Sequence, residues 1–264
     1  MKLFISADIE GVATTTTWGE TDPSRPEYRA SAEQMTREVC AACEGAFHAG
    51  ATEIVVRDAH DLGTNIDPLA LPEGVKLLRG WSGHPYFMVY GLDKSFDAAL
   101  FIGYHSAASQ GGSPLSHTNT RDFQSVKING RAASEFQIYS WAALLEGVPS
   151  VFLSGDRALC EDSWCLHPSL VTCAVKEGVG GSTLSLHPKD AADAVRDGVQ
   201  RALGQNLSSA LGTLPEEFQL ELRYKDPVRA ERFSFYPGAK LAAGDTVTFY
   251  TRDYFEVLRA FCFA

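Results

Sequence analysis

The chain is short of positive charge: its 23 Lys and Arg stand against 33 Asp and Glu, and the basic residues do not cluster. Proteins that neutralise nucleic-acid phosphates carry a basic patch, so we expect no nucleic-acid partner. The sequence also lacks a run of about 18 apolar residues, and we expect no membrane span. It begins without the basic flank and apolar run of a secretory signal, which favours a cytoplasmic location.

Cysteine is sparse too, with six residues in the 264-residue chain. A chain of this length builds its own core without disulfides, so we interpret the cysteines as reduced thiols. Cys40 and Cys43 form one C-x-x-C within a stretch of helix-like apolar spacing. Packing on a helix face explains this pair better than a redox site or half a zinc site, because no second C-x-x-C is present.

The residues that are abundant are those of an ordinary globular protein, with 45% hydrophobic and 21% charged side chains. Strand-like and helix-like segments alternate, which is typical of an α/β fold, here with α/β/α layers and a mostly parallel sheet. We predict one domain over residues 1–264. The predicted strands lie at 2–7, 53–57, 75–79, 97–105, 151–155 and 170–175, and the predicted helices at about 27–48, 134–146 and 189–203.

The last fifty residues follow a different pattern. Apolar and polar residues alternate over 218–224 and 246–251, which predicts strands, and a helix is expected from about Tyr254. Residues 215–264 are therefore predicted to form a smaller β-rich extension. Upstream, the Asn129–Gly130 dipeptide predicts a tight hairpin turn.

Four candidate ligands for a metal follow three of the predicted strands. Asp8 and Glu10 come directly after the first strand, His60 follows the second, and His105 ends the strand at 97–105. Ligands of open α/β sheets bind outside the carboxyl ends of the strands. We therefore expect these side chains to meet at one edge of the sheet.

The spacing of Asp8 and Glu10 supports a cation between them. Residues two apart on a strand share a face and lie roughly 7 Å apart, so both carboxylates point the same way. Two buried acids repel each other unless a cation compensates them. Mixed imidazole and carboxylate ligands suit Zn²⁺, with Mn²⁺ or Co²⁺ as substitutes, and the lack of thiolates favours a catalytic site. In the alternative without a metal, Asp8 caps a turn and the histidines are satisfied polar residues.

Five separated motifs carry a resemblance to a known family. SADIEG, DAH, GYH, SHT and NG-x-x-x-SE follow one another between Ser6 and Glu135. In this order they resemble the zinc-dependent D-aminopeptidases of the bacterial dipeptide-transport operon. The similarity covers residues 1 to about 176 and weakens toward the C-terminus. It implies an aminopeptidase for short peptides, including D-amino-acid peptides, and ring-like homo-oligomers, often decamers.

The resemblance also implies a site with two zinc ions per subunit. In it, Asp8 bridges the metals and His117 acts directly in catalysis. The implied metal ligands are Asp8, Glu10, His60, His105 and Glu135.

Two metals at such a site polarise a carbonyl and lower the pKa of a bound water, and one of them anchors a free amino terminus. We assign His117 as proton shuttle or base, with a nucleophilic role left open. Two alternatives to a peptidase remain. One is a dinuclear metal hydrolase of a non-peptide amide or ester; the other is a dipeptide-binding or metal-binding accessory protein without turnover. The sequence does not decide between D and L substrates.

Three further features near these motifs have more than one interpretation. Asp58 either orients His60 or pairs with Arg57, and Asp156 at a strand end lines the site without binding metal. An aromatic group is interpreted as core or subunit interface, not as a substrate box. It comprises Trp81, Tyr86, Phe87 and Tyr90.

Overall fold

The computed structural model describes residues 1–167 and 169–264, and this part of the chain contains twelve strands and six α-helices. The strands are β1 (Lys2–Ala7), β2 (Glu53–Asp58), β3 (Val75–Leu78), β4 (Ala98–Tyr104), β5 (Phe123–Ile128), β6 (Arg131–Ala132), β7 (Ser150–Asp156), β8 (Val171–Val179), β9 (Ser182–Ser185), β10 (Phe218–Tyr224), β11 (Ala239–Ala243) and β12 (Thr246–Thr251). The helices are α1 (Tyr28–His48), α2 (Glu135–Leu145), α3 (Arg157–Leu166), α4 (Pro188–Leu203), α5 (Pro227–Phe233) and α6 (Tyr254–Phe261).

The central sheet has seven strands in the order β3-β2-β1-β4-β7-β8-β9. All neighbours are parallel except β8 and β9. β4 is buried along its whole length, as its continuous apolar sequence requires in a sheet covered on both faces. Side chains of α1 and α4 pack on one face in an apolar cluster with β1, β2 and β4. The predicted α/β fold with a mostly parallel sheet is confirmed.

A second sheet is antiparallel and has the order β11-β12-β10-β5-β6. The strands predicted at 218–224 and 246–251 are confirmed, as is the hairpin at Asn129–Gly130. The hairpin strand β5 pairs with β10, so the β-rich part draws on residues outside 215–264. One apolar cluster joins this sheet, α2, α6 and the other face of the central sheet. The division of the chain into domain and extension stays a prediction.

Several short elements were not predicted. α3 starts directly after β7, and the side chain of Asp156 caps it by accepting a hydrogen bond from Leu159 N at 2.9 Å. β8 runs on to Val179, beyond the strand predicted at 170–175, and turns into β9. Among the described residues, no helix has the length and apolar character to cross a lipid bilayer.

Candidate metal centre

The carboxyl ends of three adjacent strands bring the predicted ligands together. β1 lies between β2 and β4, with Ala7 paired to Asp58 on one side and to Ile102 on the other. Asp8 and His105 follow the ends of β1 and β4 directly, and His60 lies two residues after the end of β2. Glu135 arrives from a different part of the fold, as the first residue of α2 after the β5–β6 hairpin.

Close backbone approach behind Asp8 explains the glycine of the SADIEG motif. Gly11 N donates a hydrogen bond to Gly103 O at 2.7 Å. A Cβ atom at Gly11 would lie 1.8 Å from the carbonyl oxygen of Tyr104. Any other residue would therefore push the β1 ligands away from the end of β4.

Asp8 faces both halves of the cluster, one with each carboxylate oxygen. Its Oδ1 lies 3.3 Å from His60 Nδ1, which is also 3.0 Å from Glu10 Oε2. Its Oδ2 lies 3.4 Å from His105 Nε2, which is also 3.3 Å from Glu135 Oε2. Two groups of oxygen and nitrogen atoms thus share the carboxylate of Asp8.

Backbone carbonyls fix the orientation of the imidazoles. His60 Nε2 lies 2.8 Å from Thr21 O, and His105 Nδ1 lies 3.0 Å from Ser106 O. A carbonyl oxygen only accepts hydrogen bonds, so these ring nitrogens carry the protons. The other nitrogen of each ring faces the carboxylates, which is the arrangement of metal-binding histidines whose second nitrogen is held from outside the site.

Burial leaves polar atoms of this cluster without hydrogen-bond partners. Asp8 and Glu10 are each 2% exposed, and His105 is fully buried. Asp8 Oδ2, Glu10 Oε2 and His105 Nε2 accept or donate no hydrogen bond within the described structure. Such atoms are costly to bury unless something binds them. Carboxylate oxygens and imidazole nitrogens without thiolate fit a catalytic zinc site.

The charges within the cluster shift its pKa values in opposite directions. Burial raises the pKa of Asp8, but the nearby imidazoles of His105 and His60 outweigh it and bring that pKa to about 2. Burial lowers the pKa of His60 and of His105, but the surrounding carboxylates raise both well above their ordinary value. Burial raises the pKa of Glu135, but the nearby His105 lowers it by more, so this pKa lies below its ordinary value. The cluster therefore attracts positive charge strongly.

His117 stands at the rim of the cluster. Its Nε2 lies 3.5 Å from Glu135 Oε1, and its ring stacks on His105 at 4.2 Å between centroids. Its Nδ1 lies 2.9 Å from Leu115 O and donates to it, so Nε2 is the nitrogen that can accept a proton or bind a cation. His117, His105 and Glu135 offer ligand atoms within 4.8 Å of one another. The geometry thus suits either a proton carrier or a ligand.

A cleft of about 1000 Å³ opens beside the cluster. Its walls include Trp18 and, from the aromatic group of the sequence, Trp81 and Phe87. Tyr86 belongs to the core, and Phe87 and Tyr90 pack against it, so the interpretation as core is confirmed for these three residues. Trp81 is exposed beside the cleft, and its place in a subunit interface stays a prediction.

The acids at the neighbouring strand ends hold loops. Asp58 accepts hydrogen bonds from the backbone N–H groups of Asn65 and Ile66 and from the Asn65 amide, so neither suggested role for it is seen. Asn65 in turn donates to His60 O at 2.7 Å. Asp156 accepts from Ser106 N at 2.7 Å and thereby fixes the chain that follows His105.

Lys176 supports the site without having been predicted. Its side chain is buried, and its ammonium donates to the carbonyl oxygens of Glu10 and Thr15. Burial lowers its pKa to about 8. In the sequence, Lys176 directly follows the apolar run 170–175. A lysine there looks like an ordinary polar residue at the end of a strand, so its position alone does not indicate a role at the site.

The fold and the cluster define the class of this protein. It is an α/β protein in which buried carboxylates and imidazoles, at the carboxyl ends of the strands, can bind a cation. Comparison with known proteins narrows this class. Residues 1–263 match the family model described as D-aminopeptidase, and the chain belongs to this family. The family suggested by the five motifs is thereby confirmed.

Individual relatives agree over nearly the whole chain. A D-aminopeptidase of Bacillus subtilis (strain 168) is 29% identical over 262 residues, covering 98% of this chain and 95% of that protein. A solved structure from Bacillus subtilis is described as the Zn-dependent D-aminopeptidase DppA, a self-compartmentalizing protease. It matches with a TM-score of 0.91 and 28% identity, covering 99% of this chain and 95% of its own.

Proposed function

We propose that this chain is a zinc-dependent D-aminopeptidase that removes the N-terminal residue of short peptides. The observation that carries the proposal is the position of Asp8, whose two oxygens face two separate imidazole–carboxylate pairs beside an open cleft. Membership in the D-aminopeptidase family and the zinc dependence of the solved relative support it.

Two zinc ions would be held by five side chains. Asp8 would be shared between them, Glu10 and His60 would hold one, and His105 and Glu135 the other. Zinc bound there supplies Lewis acidity toward a peptide carbonyl and toward water. Mn²⁺ or Co²⁺ would meet the same donor set as substitutes.

The chain's own residues would orient the peptide and move the proton. The carboxylates that remain around the centre attract the positively charged amino terminus of a peptide. His117 holds its Nδ1 proton against Leu115 O, so Nε2 is the atom that takes a proton and returns it to the leaving amine. Asn119 N donates to Glu135 Oε1 at 2.7 Å and keeps that carboxylate in place while His117 changes charge.

The test is turnover by protein of known metal content. We expect D-Ala-D-Ala to be cleaved faster than L-Ala-L-Ala or longer L-peptides, chelator to abolish cleavage, and zinc to restore it. His117→Ala should retain its zinc but lose about 100-fold or more in kcat, since general acid–base catalysis typically contributes that much. The exposed His48→Ala is the matched control and should behave as wild type.

Three outcomes would contradict the proposal. Chelator-insensitive cleavage would exclude the metal mechanism. Absence of cleavage despite bound zinc would favour an accessory binding protein. Unchanged kcat in His117→Ala with full zinc would remove that residue from the reaction.

A further inference from the structure

Most of the charged side chains that line the cleft are acidic, and Arg121 is one of two arginines among them. The other basic side chain in its wall, Arg25, lies 3.8 Å from Asp22. In the described part of the chain, no carboxylate oxygen lies within 4.0 Å of the Arg121 guanidinium. The neighbouring Asp122 is paired with Arg229. The acidic side chains in the wall are Asp8, Glu10, Asp22, Glu27, Asp61 and Glu135. Arg121 is therefore a cationic group that the protein itself leaves without an ion pair.

An aromatic contact holds the Arg121 guanidinium in place. The guanidinium carbon lies 4.2 Å from the centre of the Trp18 ring, and the Trp18 ring meets the His117 ring edge-on at 5.2 Å. Cation–π attraction holds a guanidinium over an indole and leaves its planar fork of N–H donors available to a ligand. That fork of donors matches the two oxygens of a carboxylate.

Both members of this stack are tied to the metal centre through the backbone. Trp18 begins the 3₁₀ turn Trp18–Thr21, and the carbonyl of Thr21 accepts the hydrogen bond from His60. Asn119, two residues before Arg121, is bound by its N–H to Glu135. The distance between Arg121 and the ligands is therefore set by the same contacts that position the ligands.

We propose that Arg121, stacked on Trp18, binds the C-terminal carboxylate of the substrate and so selects di- and tripeptides with a free C-terminus. This inference rests on the proposed aminopeptidase function, in which the amino terminus lies at the metal centre. An extended residue spans at most about 3.6 Å. His117 and the guanidinium both contact the Trp18 ring, at 5.2 Å and 4.2 Å, so a substrate of two or three residues spans the distance between them. Away from the metal centre, the remaining acids of the wall, Asp22, Glu27 and Asp61, repel a carboxylate.

The decisive experiment compares one dipeptide with its C-terminal amide. Wild type should cleave D-Ala-D-Ala with a kcat/KM about 10–100-fold above that for D-Ala-D-Ala amide, because a charge-assisted bidentate contact is lost in the amide. Arg121→Gln should bring this ratio close to one, and Arg121→Lys should give an intermediate ratio, since a point charge lacks the fork. Arg131→Gln, at an exposed position in the hairpin outside the cleft, should keep the wild-type ratio. A wild-type ratio near one, or a ratio preserved in Arg121→Gln, would overturn the inference.

A binding measurement separates this inference from the proposed function. A dipeptide with CH₂–NH in place of the peptide bond, and its amide, can be titrated calorimetrically into zinc-loaded protein without turnover. Wild type should prefer the acid, and Arg121→Gln should not. Equal binding of acid and amide by an enzyme that does cleave peptides would refute the carboxylate site alone. Selective binding of the acid without cleavage of any peptide would refute the hydrolysis alone.

Discussion

At the scale of single residues, the metal centre is a place where protons and cations compete. Asp8 is ionised over the whole physiological range because its pKa is about 2. The imidazoles of His60 and His105 lie among carboxylates that raise their pKa values well above normal, although burial lowers them. The raised pKa values favour the protonated form of these two rings in metal-free protein, and a bound zinc must displace those protons, since only neutral imidazole binds metal.

This competition predicts how zinc affinity depends on pH. Because the histidine pKa values are raised, affinity should increase as pH rises from 6 toward those values, by up to about tenfold per pH unit for each proton displaced. Calorimetric titration of chelator-treated protein with Zn²⁺, in buffers of different ionisation enthalpy, should show proton release at pH 7. His48→Gln, which changes an exposed histidine outside the centre, should release as many protons as wild type. Affinity independent of pH, without proton release, would contradict the prediction.

Residues whose role depends on distant partners escaped sequence analysis. The strand-end ligands were predictable because each follows a recognisable strand. Lys176 was not, because the carbonyls that bind it lie 166 and 161 residues away in the chain. Arg121 gave no signal for the same reason: the Trp18 ring on which it stacks belongs to another loop.

At the scale of elements, the loop after β1 is held from two sides. Glu38 of α1 accepts hydrogen bonds from Ala13 N and from the Gln34 amide, both at 2.9 Å, while Lys176 of β8 holds the carbonyls of Glu10 and Thr15. Burial is the main cause that raises the pKa of Glu38, to about 7. The folded protein therefore favours the protonated acid at a point where the loop needs only an acceptor.

Glu38→Gln should stabilise the protein in a pH-dependent way. Because the pKa of Glu38 in the folded state lies above its ordinary 4.5, its protonation contributes stability that is fully present below pH 4.5 and lost as pH rises through 7. Glutamine stays neutral and keeps an acceptor for Ala13 N. We expect a gain of about 1–3 kcal/mol at pH 8 and little change at pH 4.5, measured by urea unfolding.

A neighbouring position supplies the control for this prediction. Glu33 lies on the same helix, but its side chain is 60% exposed and paired with Arg29. Glu33→Gln should change stability by less than about 0.5 kcal/mol at either pH. A loss of stability in Glu38→Gln at pH 8 would show that the loop needs the charge of Glu38.

The elements that sequence analysis missed are those defined by pairing across the chain. Parallel strands with buried apolar runs were found because each run is visible on its own. The pairing of β5 with β10 was not found. It pairs Ile128 with Leu220, and no local sequence pattern indicates a partner that distant. α3 was missed because Asp156 was interpreted as a strand-end residue, whereas it also caps the following helix.

At the scale of the whole molecule, apolar side chains remain exposed in the C-terminal part of a strongly acidic chain. The net charge of −10 disfavours non-specific association. The exposed apolar side chains of this part include Val228, Phe235, Leu241, Tyr250 and Phe263. Contacts between strongly acidic subunits need apolar area. These side chains, on α5, the turn after it, the second sheet and the C-terminus, provide it. The cytoplasmic location expected from the sequence stays a prediction.

We expect these side chains to form contacts between identical subunits in the ring-like homo-oligomer that the resemblance of the sequence motifs implies. Light scattering during gel filtration should give ten times the 28.7 kDa mass of the subunit. Phe235→Asp, at a side chain that is 81% exposed, should lower that mass, whereas Leu69→Asp, at a loop position that is 93% exposed, should not.

Because an enclosed chamber admits only small substrates, the intact ring should cleave dipeptides but spare long peptides, and the Phe235→Asp protein should lose part of that discrimination. A monomer at micromolar concentration would refute the ring, and loss of mass in Leu69→Asp alone would move the contact to another face.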